Sequence, residues 1–296
     1  MFEIKNLLNI DLDNQVFIKP DYLNHPCISG NKYRKLKYNI LEAKRLNKKV
    51  LLTFGGAYSN HIQAVAATGK EFGFKTIGVI RGEELADKIQ ENPTLSFAKQ
   101  QGMEFQFVSR EAYREKTTDS FINNLKNLFG NFYLIPEGGT NNFAVKGCEE
   151  ILTETDKTFD FICCPVGTGG TISGLINSSF PEQKILGFPA LKGDFLQEEI
   201  SKFANNSNWE LILEYHFGGY AKINTELISF INMFNERYSI PLDPIYTGKM
   251  MFGIFDLIKQ GYFPKGSKIL AIHTGGLQGI EGMNKTLIRK KLPIIN

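Results

Sequence analysis

Four cationic side chains lie close together in one short stretch of the sequence, ISGNKYRKLKYN, which covers residues 28–39. A lysine amine can form a Schiff base with an aldehyde or move a proton, so this stretch could carry out covalent chemistry. Lys32 and Lys35 are three residues apart and would share one face of a helix, whereas Lys37 would lie well around it. The spacing does not choose between Lys32 and Lys35, and a solvated helix face is the preferred interpretation of the stretch taken alone.

A glycine-rich loop further along the chain has the composition of a phosphate site. The sequence CPVGTGGTISGLI places this loop, residues 167–171, between an apolar run and a helical pattern. Glycines let backbone N–H groups converge on an anion, the start of the helix adds favourable partial charge, and Thr168 and Thr171 supply hydroxyls. The loop lacks the Gly-Lys-Ser/Thr of a nucleoside triphosphate loop and the third glycine of a dinucleotide loop. It therefore suits a single phosphate group.

A phosphate site together with a reactive lysine is what pyridoxal 5′-phosphate (PLP) requires. The aldehyde of this cofactor needs an amine for its Schiff base, and its ring acts as an electron sink. We therefore expect PLP as the cofactor and a small amino acid as the substrate.

The elements that must position these residues follow an alternating pattern. Strand-like runs such as KKVLLTFGG, KTIGVIRG and FDFICCPVG are each followed by a helical pattern, which indicates βαβ units and parallel sheets. Further strand candidates are EFQFVS, NFYLIPEG, KILGFPA and KILAIHTGG. Together these strands are too many for one small sheet, so two α/β domains are expected. Glycine-rich loops at 55–56, 167–170 and 275–276 follow three strands, and ligands gather at the carboxyl ends of such strands, so one shared cleft is predicted.

Composition excludes several classes of protein. The 296 residues are 42% hydrophobic and 22% charged, as in ordinary globular chains, and the net charge of +3 is scattered, which gives no support for nucleic-acid binding. The amino-terminal sequence has no apolar core of a targeting peptide and no window could span a bilayer, so we expect a cytoplasmic protein without a membrane partner. No metal-ligand spacing is present, and reduced thiols are expected at Cys27, Cys148, Cys163 and Cys164.

The motifs occur together in an order that resembles one known family. The chain resembles the PLP enzymes that include 1-aminocyclopropane-1-carboxylate (ACC) deaminase and D-cysteine desulfhydrase. The resemblance lies in six motifs between about Ile18 and Gly276: SGNKYRKLKYN, GGAYSNHIQAVAA, PEGGTNNFAVKG, VGTGGTISG, DPIYTGK and HTGG. The resemblance implies the two-domain, tryptophan synthase β-like α/β fold called fold type II. It implies a larger PLP-binding domain of residues 1–37 and 141–296, a smaller α/β domain of residues 38–140, and a homodimer.

The resemblance also assigns cofactor contacts. It places the Schiff-base lysine at Lys32 and Lys35 near the phosphate. This leaves Lys37 as a helix-surface residue, and Arg34 needs no role beyond structure and solubility. It gives Asn60 a hydrogen bond to the ring hydroxyl and stacks Tyr246 on the ring. The implied cofactor-binding residues are Lys32, Lys35, Asn60, Gly167, Thr168, Gly169, Gly170, Thr171, Tyr246, Thr247 and Thr274.

Further residues are implied to contact the substrate. Ser59, Asn60 and His61 form the substrate loop, although Ser59 is also a plausible helix N-cap. His61 stays open between a structural function, orientation of the substrate carboxylate and proton transfer. Tyr220 lies in a segment whose family counterpart carries a tyrosine that approaches the substrate, although the segment is shorter here. The implied catalytic residues are Lys32, Ser59, Tyr220 and Tyr246.

Two positions favour β-elimination over ring opening. Family deaminases carry Glu beside the ring nitrogen, which favours a protonated ring, where this chain has Thr247. They carry Leu in HLGG, where this chain has Thr274. The expected reaction is therefore that of a D-cysteine desulfhydrase, which gives pyruvate, ammonia and sulfide. The alternatives are an ACC deaminase, another D-amino-acid dehydratase or racemase, and a non-enzymatic phosphate-ligand binding protein.

Overall fold

The computed structural model of the chain describes residues 1–4 and 13–296. Residues 5–12, part of the amino-terminal segment considered above for targeting, lie outside the described residues. The described strands are Phe2–Ile4 (β1), Gln15–Lys19 (β2), Val50–Gly55 (β3), Lys75–Arg81 (β4), Met103–Val108 (β5), Tyr133–Ile135 (β6), Phe161–Val166 (β7), Lys184–Pro189 (β8), Trp209–Leu211 (β9) and Lys268–Ile272 (β10).

Helices alternate with most of these strands. The described α-helices are Asn31–Arg45 (α1), Asn60–Phe72 (α2), Pro93–Gln100 (α3), Arg110–Arg114 (α4), Asp119–Phe129 (α5), Asn142–Glu149 (α6), Gly170–Ser178 (α7), Phe195–Ser201 (α8), Thr225–Tyr238 (α9), Thr247–Lys259 (α10) and Gly279–Arg289 (α11). The predicted alternation of strand and helix is therefore present.

The strands form two sheets. One has the order β1-β2-β10-β7-β8-β9 and is parallel except for the β1–β2 pair, and the other has the parallel order β5-β4-β3-β6. Strands covered by helices on both faces are buried on both sides, which explains why β7 and β10 read as nearly continuous apolar runs. The predicted α/β fold with parallel sheets flanked by helices is confirmed.

The adjacent cysteines of β7 illustrate how the larger sheet is buried. Cys163 belongs to the core that contains Phe234 and Ile254 of α9 and α10. Cys164 points to the other face, into the core that contains Leu175 of α7. All four cysteines of the chain are free, and three of them are buried.

The two sheets draw on different parts of the chain. The four-stranded sheet lies within residues 50–135, and the six-stranded sheet uses residues before 20 and after 160. The division into residues 1–37 with 141–296 and residues 38–140 remains a proposal, which this segregation supports. Its boundary at 37/38 falls within α1, a continuous helix.

Helix α1 is locked against α6 by a close backbone crossing. A Cβ placed on Gly147 of α6 would lie 2.0 Å from the Arg34 carbonyl oxygen of α1. Real Cβ atoms do not approach so closely, so only glycine allows these helices this separation. The crossing therefore fixes the position of α1 relative to α6. In the described part of the chain, no helix is long and apolar enough to cross a membrane.

Candidate active site

The three glycine-rich loops converge at the carboxyl ends of β3, β7 and β10. A Cβ on Gly276, after β10, would lie 3.0 Å from the Asn60 amide nitrogen at the start of α2, which follows β3. A Cβ on Gly167, after β7, would lie 3.2 Å from the Tyr246 hydroxyl oxygen. These approaches bring the loops into one site, as the sequence predicts.

Helix α1 begins inside this site. Gly30, which precedes the helix, has φ 64° and ψ −140°, and a Cβ there would lie 2.0 Å from the Thr274 carbonyl oxygen. The Asn31 backbone N–H donates to that same oxygen at 3.2 Å, and the Asn31 side chain donates to the Thr171 hydroxyl at 2.8 Å. The start of α1 is therefore bonded to the loops that follow β7 and β10. This position explains why the Ser-Gly turn precedes the lysines.

Lys35 is a buried cation surrounded by neutral oxygen atoms. Its side chain is 2% exposed, and its Nζ donates to the Gly138 carbonyl at 3.1 Å, the Thr140 hydroxyl at 3.1 Å and the Thr168 hydroxyl at 3.4 Å. Burial lowers the pKa of the Lys35 amine. No carboxylate among the described residues forms a salt bridge with this amine. A buried ammonium without a counter-ion is costly, so an anion is the missing partner that the site suits.

The glycine-rich loop completes a phosphate cradle beside Lys35. Gly169 has φ 83° and precedes α7, and a Cβ on Gly170 would lie 3.2 Å from the Lys35 Nζ and 2.8 Å from the Thr140 hydroxyl. The free backbone N–H groups at the start of α7 therefore lie next to the ammonium. The cradle comprises Lys35, Thr140 and residues 167–171, and it fits the phosphate of PLP. Thr140 received no role from the sequence, although it lies within the quoted motif PEGGTNN.

The surroundings of Lys32 and Lys37 are opposite. Lys32 is partly buried, and burial lowers the pKa of its amine to about 7, with the nearby Lys35 charge adding to the effect. Lys37 is exposed and pairs with Glu150 at 2.6 Å, and this hydrogen bond raises the pKa of the Lys37 amine. Of these two lysines, only Lys32 therefore has a substantial neutral fraction near pH 7, which a nucleophile or a base needs.

The substrate loop starts α2. Ser59 is the N-cap of this helix and accepts from the Ile62 N–H at 3.3 Å, as predicted. Asn60 is half-buried and faces Gly276. Its side-chain amide therefore lies between the loops that follow β3 and β10.

His61 is held in one tautomer. Its Nε2 lies 2.8 Å from the Thr53 hydroxyl, which donates its own proton to the Ile135 carbonyl at 2.8 Å. The Nε2 atom must therefore be the protonated nitrogen. Nδ1 is buried without a hydrogen-bond partner in the structure, and burial, followed by the charges of Lys32 and Lys35, lowers the pKa of His61 well below its usual value. A neutral histidine in this state can accept a hydrogen bond at Nδ1, but its only N–H already donates to the Thr53 hydroxyl.

A carboxylate that sequence reasoning missed lies behind Thr247. Asp243 is buried, and its Oδ1 accepts from the Thr247 N–H and the Thr247 hydroxyl, both at 2.8 Å. The Thr247 hydroxyl also accepts from the Asp243 N–H at 2.9 Å. This hydroxyl can therefore offer any further partner only an acceptor lone pair. Asp243 stands in the quoted motif DPIYTGK, but its partner was recognisable only in the fold.

Two tyrosines and Thr274 border the cleft. Tyr246 is partly buried, and its ring lies 6.3 Å from that of Tyr220 in an edge-to-face arrangement. Burial raises the pKa of the Tyr246 phenol well above its usual value, and neighbouring Tyr220 adds to the shift. Tyr246 therefore stays neutral at physiological pH. Tyr220 is 42% exposed, whereas Thr274 is buried and contacts the start of α1 through its carbonyl group.

Comparisons with known proteins agree with this arrangement. Residues 3–275 match the family described as pyridoxal-phosphate dependent enzyme. The chain is 33% identical to a putative ACC deaminase of Pyrococcus horikoshii, across 93% of this chain and 89% of that protein. It is 29% identical to a bifunctional mitochondrial D-cysteine desulfhydrase/ACC deaminase of Arabidopsis thaliana, across 93% and 75% of the two chains.

A solved structure gives the same assignment. The crystal structure of an ACC deaminase homologue superposes with a TM-score of 0.81 at 29% identity, covering 93% of this chain and 88% of that chain. Membership of an enzyme family leaves no need for the non-enzymatic phosphate-binding alternative. The chain therefore belongs to the pyridoxal-phosphate dependent enzymes, in the group that contains ACC deaminase and D-cysteine desulfhydrase.

Proposed function

We propose that the chain is a deaminating lyase that converts D-cysteine and water to pyruvate, ammonia and hydrogen sulfide. One observation carries the PLP-dependent chemistry in this proposal: a lysine whose amine pKa is about 7 lies on the same helix as the buried ammonium of a phosphate cradle. Bound PLP would supply the electron sink that accepts the electrons of the broken Cα–H bond. The cofactor would be held by Lys32, Lys35, Asn60, Thr140 and residues 167–171.

Lys32 is the proposed base. Its neutral amine takes the proton from the substrate α-carbon, because the low pKa leaves the lone pair available near pH 7. The Asn31 side-chain oxygen lies 3.4 Å from the Lys32 Nζ and accepts a hydrogen bond from the ammonium that results. Ser59 and Asn60 orient the substrate, and the neutral Tyr246 phenol acts as a hydrogen-bond donor.

His61 receives a narrower role than the sequence left open. Its fixed tautomer leaves no N–H donor for the substrate carboxylate, and the lowered pKa of His61 disfavours proton transfer, so Nδ1 can only accept a hydrogen bond. We propose that His61 accepts a hydrogen bond within the site and packs against Gly139. The structural function and this acceptor function are compatible.

The choice of β-elimination rests on Thr247 and Thr274. Neither supplies the carboxylate that family deaminases place beside the ring nitrogen. Loss of a thiolate needs less electron withdrawal than opening a cyclopropane, because sulfur is a good leaving group. D-amino-acid dehydration or racemisation would share the same α-proton removal.

ACC deamination is the second candidate, and Asp243 specifically favours it. The Thr247 hydroxyl donates its proton to Asp243, so it could only accept a hydrogen bond from the ring nitrogen of a bound cofactor. That nitrogen would have to be protonated to donate this bond. Asp243 would then stabilise ring protonation through one intervening hydroxyl. Several relatives are also named ACC deaminase.

A direct assay separates these candidates. Purified holoenzyme is incubated with D-cysteine, L-cysteine, D-serine or ACC, and pyruvate and 2-oxobutanoate are measured separately. We expect pyruvate from D-cysteine at the highest kcat/KM. Turnover of ACC without turnover of D-cysteine would refute the desulfhydrase assignment.

The lysine assignment has its own test. We expect Lys32→Ala to lower kcat by at least about 10³-fold and to remove the absorbance band of lysine-bound cofactor, because no other amine would replace it. Lys37→Ala is the matched control and should retain both. Full activity with an unchanged band in Lys32→Ala would show that another residue holds the cofactor.

The remaining expectations concern assembly and location. We propose a homodimer from the family resemblance, which sedimentation of the purified protein would test by mass. We also propose a cytoplasmic location, which the four free cysteines support.

A further inference from the structure

A third buried lysine lies beside the site and is not explained by cofactor binding. Lys249, in the first turn of α10, is 2% exposed. Burial lowers the pKa of its amine to about 8, although the charge of Asp243 partly opposes the shift. Its Nζ donates to the carbonyl oxygens of His216 and Gly219, both at 2.8 Å. Among the described residues, no carboxylate forms a salt bridge with it.

These two carbonyl groups belong to a segment with an unusual backbone. Within residues 217–221, φ is 54° at Phe217, 92° at Gly218, 118° at Gly219 and 56° at Ala221. Residues with a Cβ rarely adopt this region, so Phe217 and Ala221 are strained. Such a conformation persists only where surrounding contacts determine it, and the Lys249 ammonium contacts the carbonyls on either side of Phe217 and Gly218.

The segment presents Tyr220 to the cleft. The Tyr220 ring lies 6.3 Å from the ring of Tyr246, which immediately precedes α10. Lys249 is three residues after Tyr246 and is rooted in the same first turn. The start of α10 thus places one tyrosine directly and the other through the Lys249 hydrogen bonds.

We propose that Lys249 is a positioning residue that holds Tyr220 at the substrate site through the carbonyl groups of residues 216 and 219. This inference rests on the proposed function together with the family resemblance, which implies that Tyr220 contacts the substrate. A lysine that merely satisfied the core would support stability without affecting substrate binding. A positioning lysine acts on KM, and its effect depends on the presence of the Tyr220 side chain.

The first test measures the segment itself. Hydrogen exchange of peptides covering residues 214–222 is compared in holoenzyme of unsubstituted protein, Lys249→Met and the exposed control Lys259→Met on the same helix. Because hydrogen bonds to a charged group are lost, we expect exchange in Lys249→Met to rise about tenfold or more in this segment, with α1 unchanged. Unchanged exchange in residues 214–222 would overturn the proposal.

The second test links Lys249 to Tyr220. For D-cysteine turnover, or for another of the four amino acids if that one reacts, KM and kcat are measured in Lys249→Met, Tyr220→Ala and the double variant. We expect KM to rise about tenfold in each single variant and no further in the double variant, because both changes remove the same contact. Effects on KM that multiply, or a loss of thermal stability with unchanged KM, would overturn the proposal.

Two controls keep the outcomes separate. Lys249→Arg keeps the charge and the donors and should restore KM to within about threefold, whereas a requirement for side-chain shape alone would make Met the better substitute. If Lys249→Met does not fold, Lys249→Gln undergoes the same measurements with the same criteria. Absence of turnover in the unsubstituted enzyme would refute the proposed function, and hydrogen exchange would still decide whether Lys249 holds the segment.

Discussion

At the scale of single residues, the site separates lysines that the sequence presents as equivalent. Lys32 and Lys35 are shielded from water, and Lys37 is neutralised by Glu150, which lies 113 residues away in sequence. The pKa is therefore lowered for the Lys32 and Lys35 amines and raised for the Lys37 amine, although their intrinsic chemistry is the same. The family resemblance assigned Lys32 and Lys35 to the cofactor and Lys37 to the surface. Burial supplies the physical reason for this division.

Replacement of Lys35 should affect the apoprotein and the holoenzyme in opposite directions. We expect Lys35→Met to raise the free energy of unfolding of the apoprotein by about 1 kcal/mol or more, because it removes a buried charge without a counter-ion. We expect it to weaken PLP binding roughly 10- to 100-fold, because a charge-assisted contact to phosphate is lost. Urea unfolding and equilibrium dialysis measure the two effects. Lys37→Met should change neither, and unchanged PLP affinity in Lys35→Met would contradict the cradle.

At the scale of elements, the position of the lysines depends on the crossing of α1 and α6. A helix through the lysine-rich stretch was expected from the sequence, but the neighbour of this helix was not. Gly147 reveals the contact only in the fold, because an isolated glycine in a helix carries no information about what approaches it. The contacts of Thr140 and Asp243 could not be predicted either, because their partners are brought near them only by the fold.

Gly147→Ala should destabilise the protein, although alanine is the better helix former. The new Cβ would lie 2.0 Å from the Arg34 carbonyl oxygen, so α1 or α6 must move. We expect the free energy of unfolding to fall by about 1–3 kcal/mol and PLP affinity to fall with it. Gly279→Ala in α11 is the control, since its nearest atom would be 3.9 Å away. Stabilisation of Gly147→Ala in urea unfolding would show that the crossing is loose.

At the scale of the whole molecule, parallel strands bring distant loops together. The glycine-rich loops after β3, β7 and β10 are far apart in sequence, and their convergence follows from the shared direction of the strands. The sequence therefore predicted the existence of one cleft. The fold also buries cations at this cleft, and their burial makes the stability of the apoprotein depend on pH.

The apoprotein should become more stable as the pH rises from about 7 to about 8.5. The folded pKa is about 7 for Lys32 and about 8 for Lys249, so the unfolded chain binds more protons in this range. Each lysine then adds a slope of up to about 1.4 kcal/mol per pH unit to the free energy of unfolding. Above about pH 9 the buried thiols oppose this trend, because burial raises the pKa of Cys148 to about 11 and raises that of Cys163 well above its usual value.

Urea unfolding of the apoprotein at a series of pH values measures this slope. Lys249→Met should make the slope smaller, since one of the depressed groups is removed, and Lys259→Met should leave it unchanged. A free energy of unfolding that falls between pH 7 and 8.5 would mean that these amines are not desolvated in the folded chain.

The sequence alone determined the parts of this protein that depend on local pattern. Alternating strand and helix signals predicted the α/β fold, the glycine spacing at residues 167–171 predicted a phosphate site, and the ordered motifs identified the family and its cofactor. These features are local because backbone conformation and loop geometry are encoded by neighbouring residues.

Only the tertiary structure decided the electrostatic state of the site. It showed a neutral tautomer of His61 set by Thr53, a Thr247 hydroxyl committed to Asp243, and a strained segment held by Lys249. Each of these facts depends on desolvation and on hydrogen bonds made through space. Both are set by which distant residues the fold brings within a few ångströms, and residue order along the chain does not specify them.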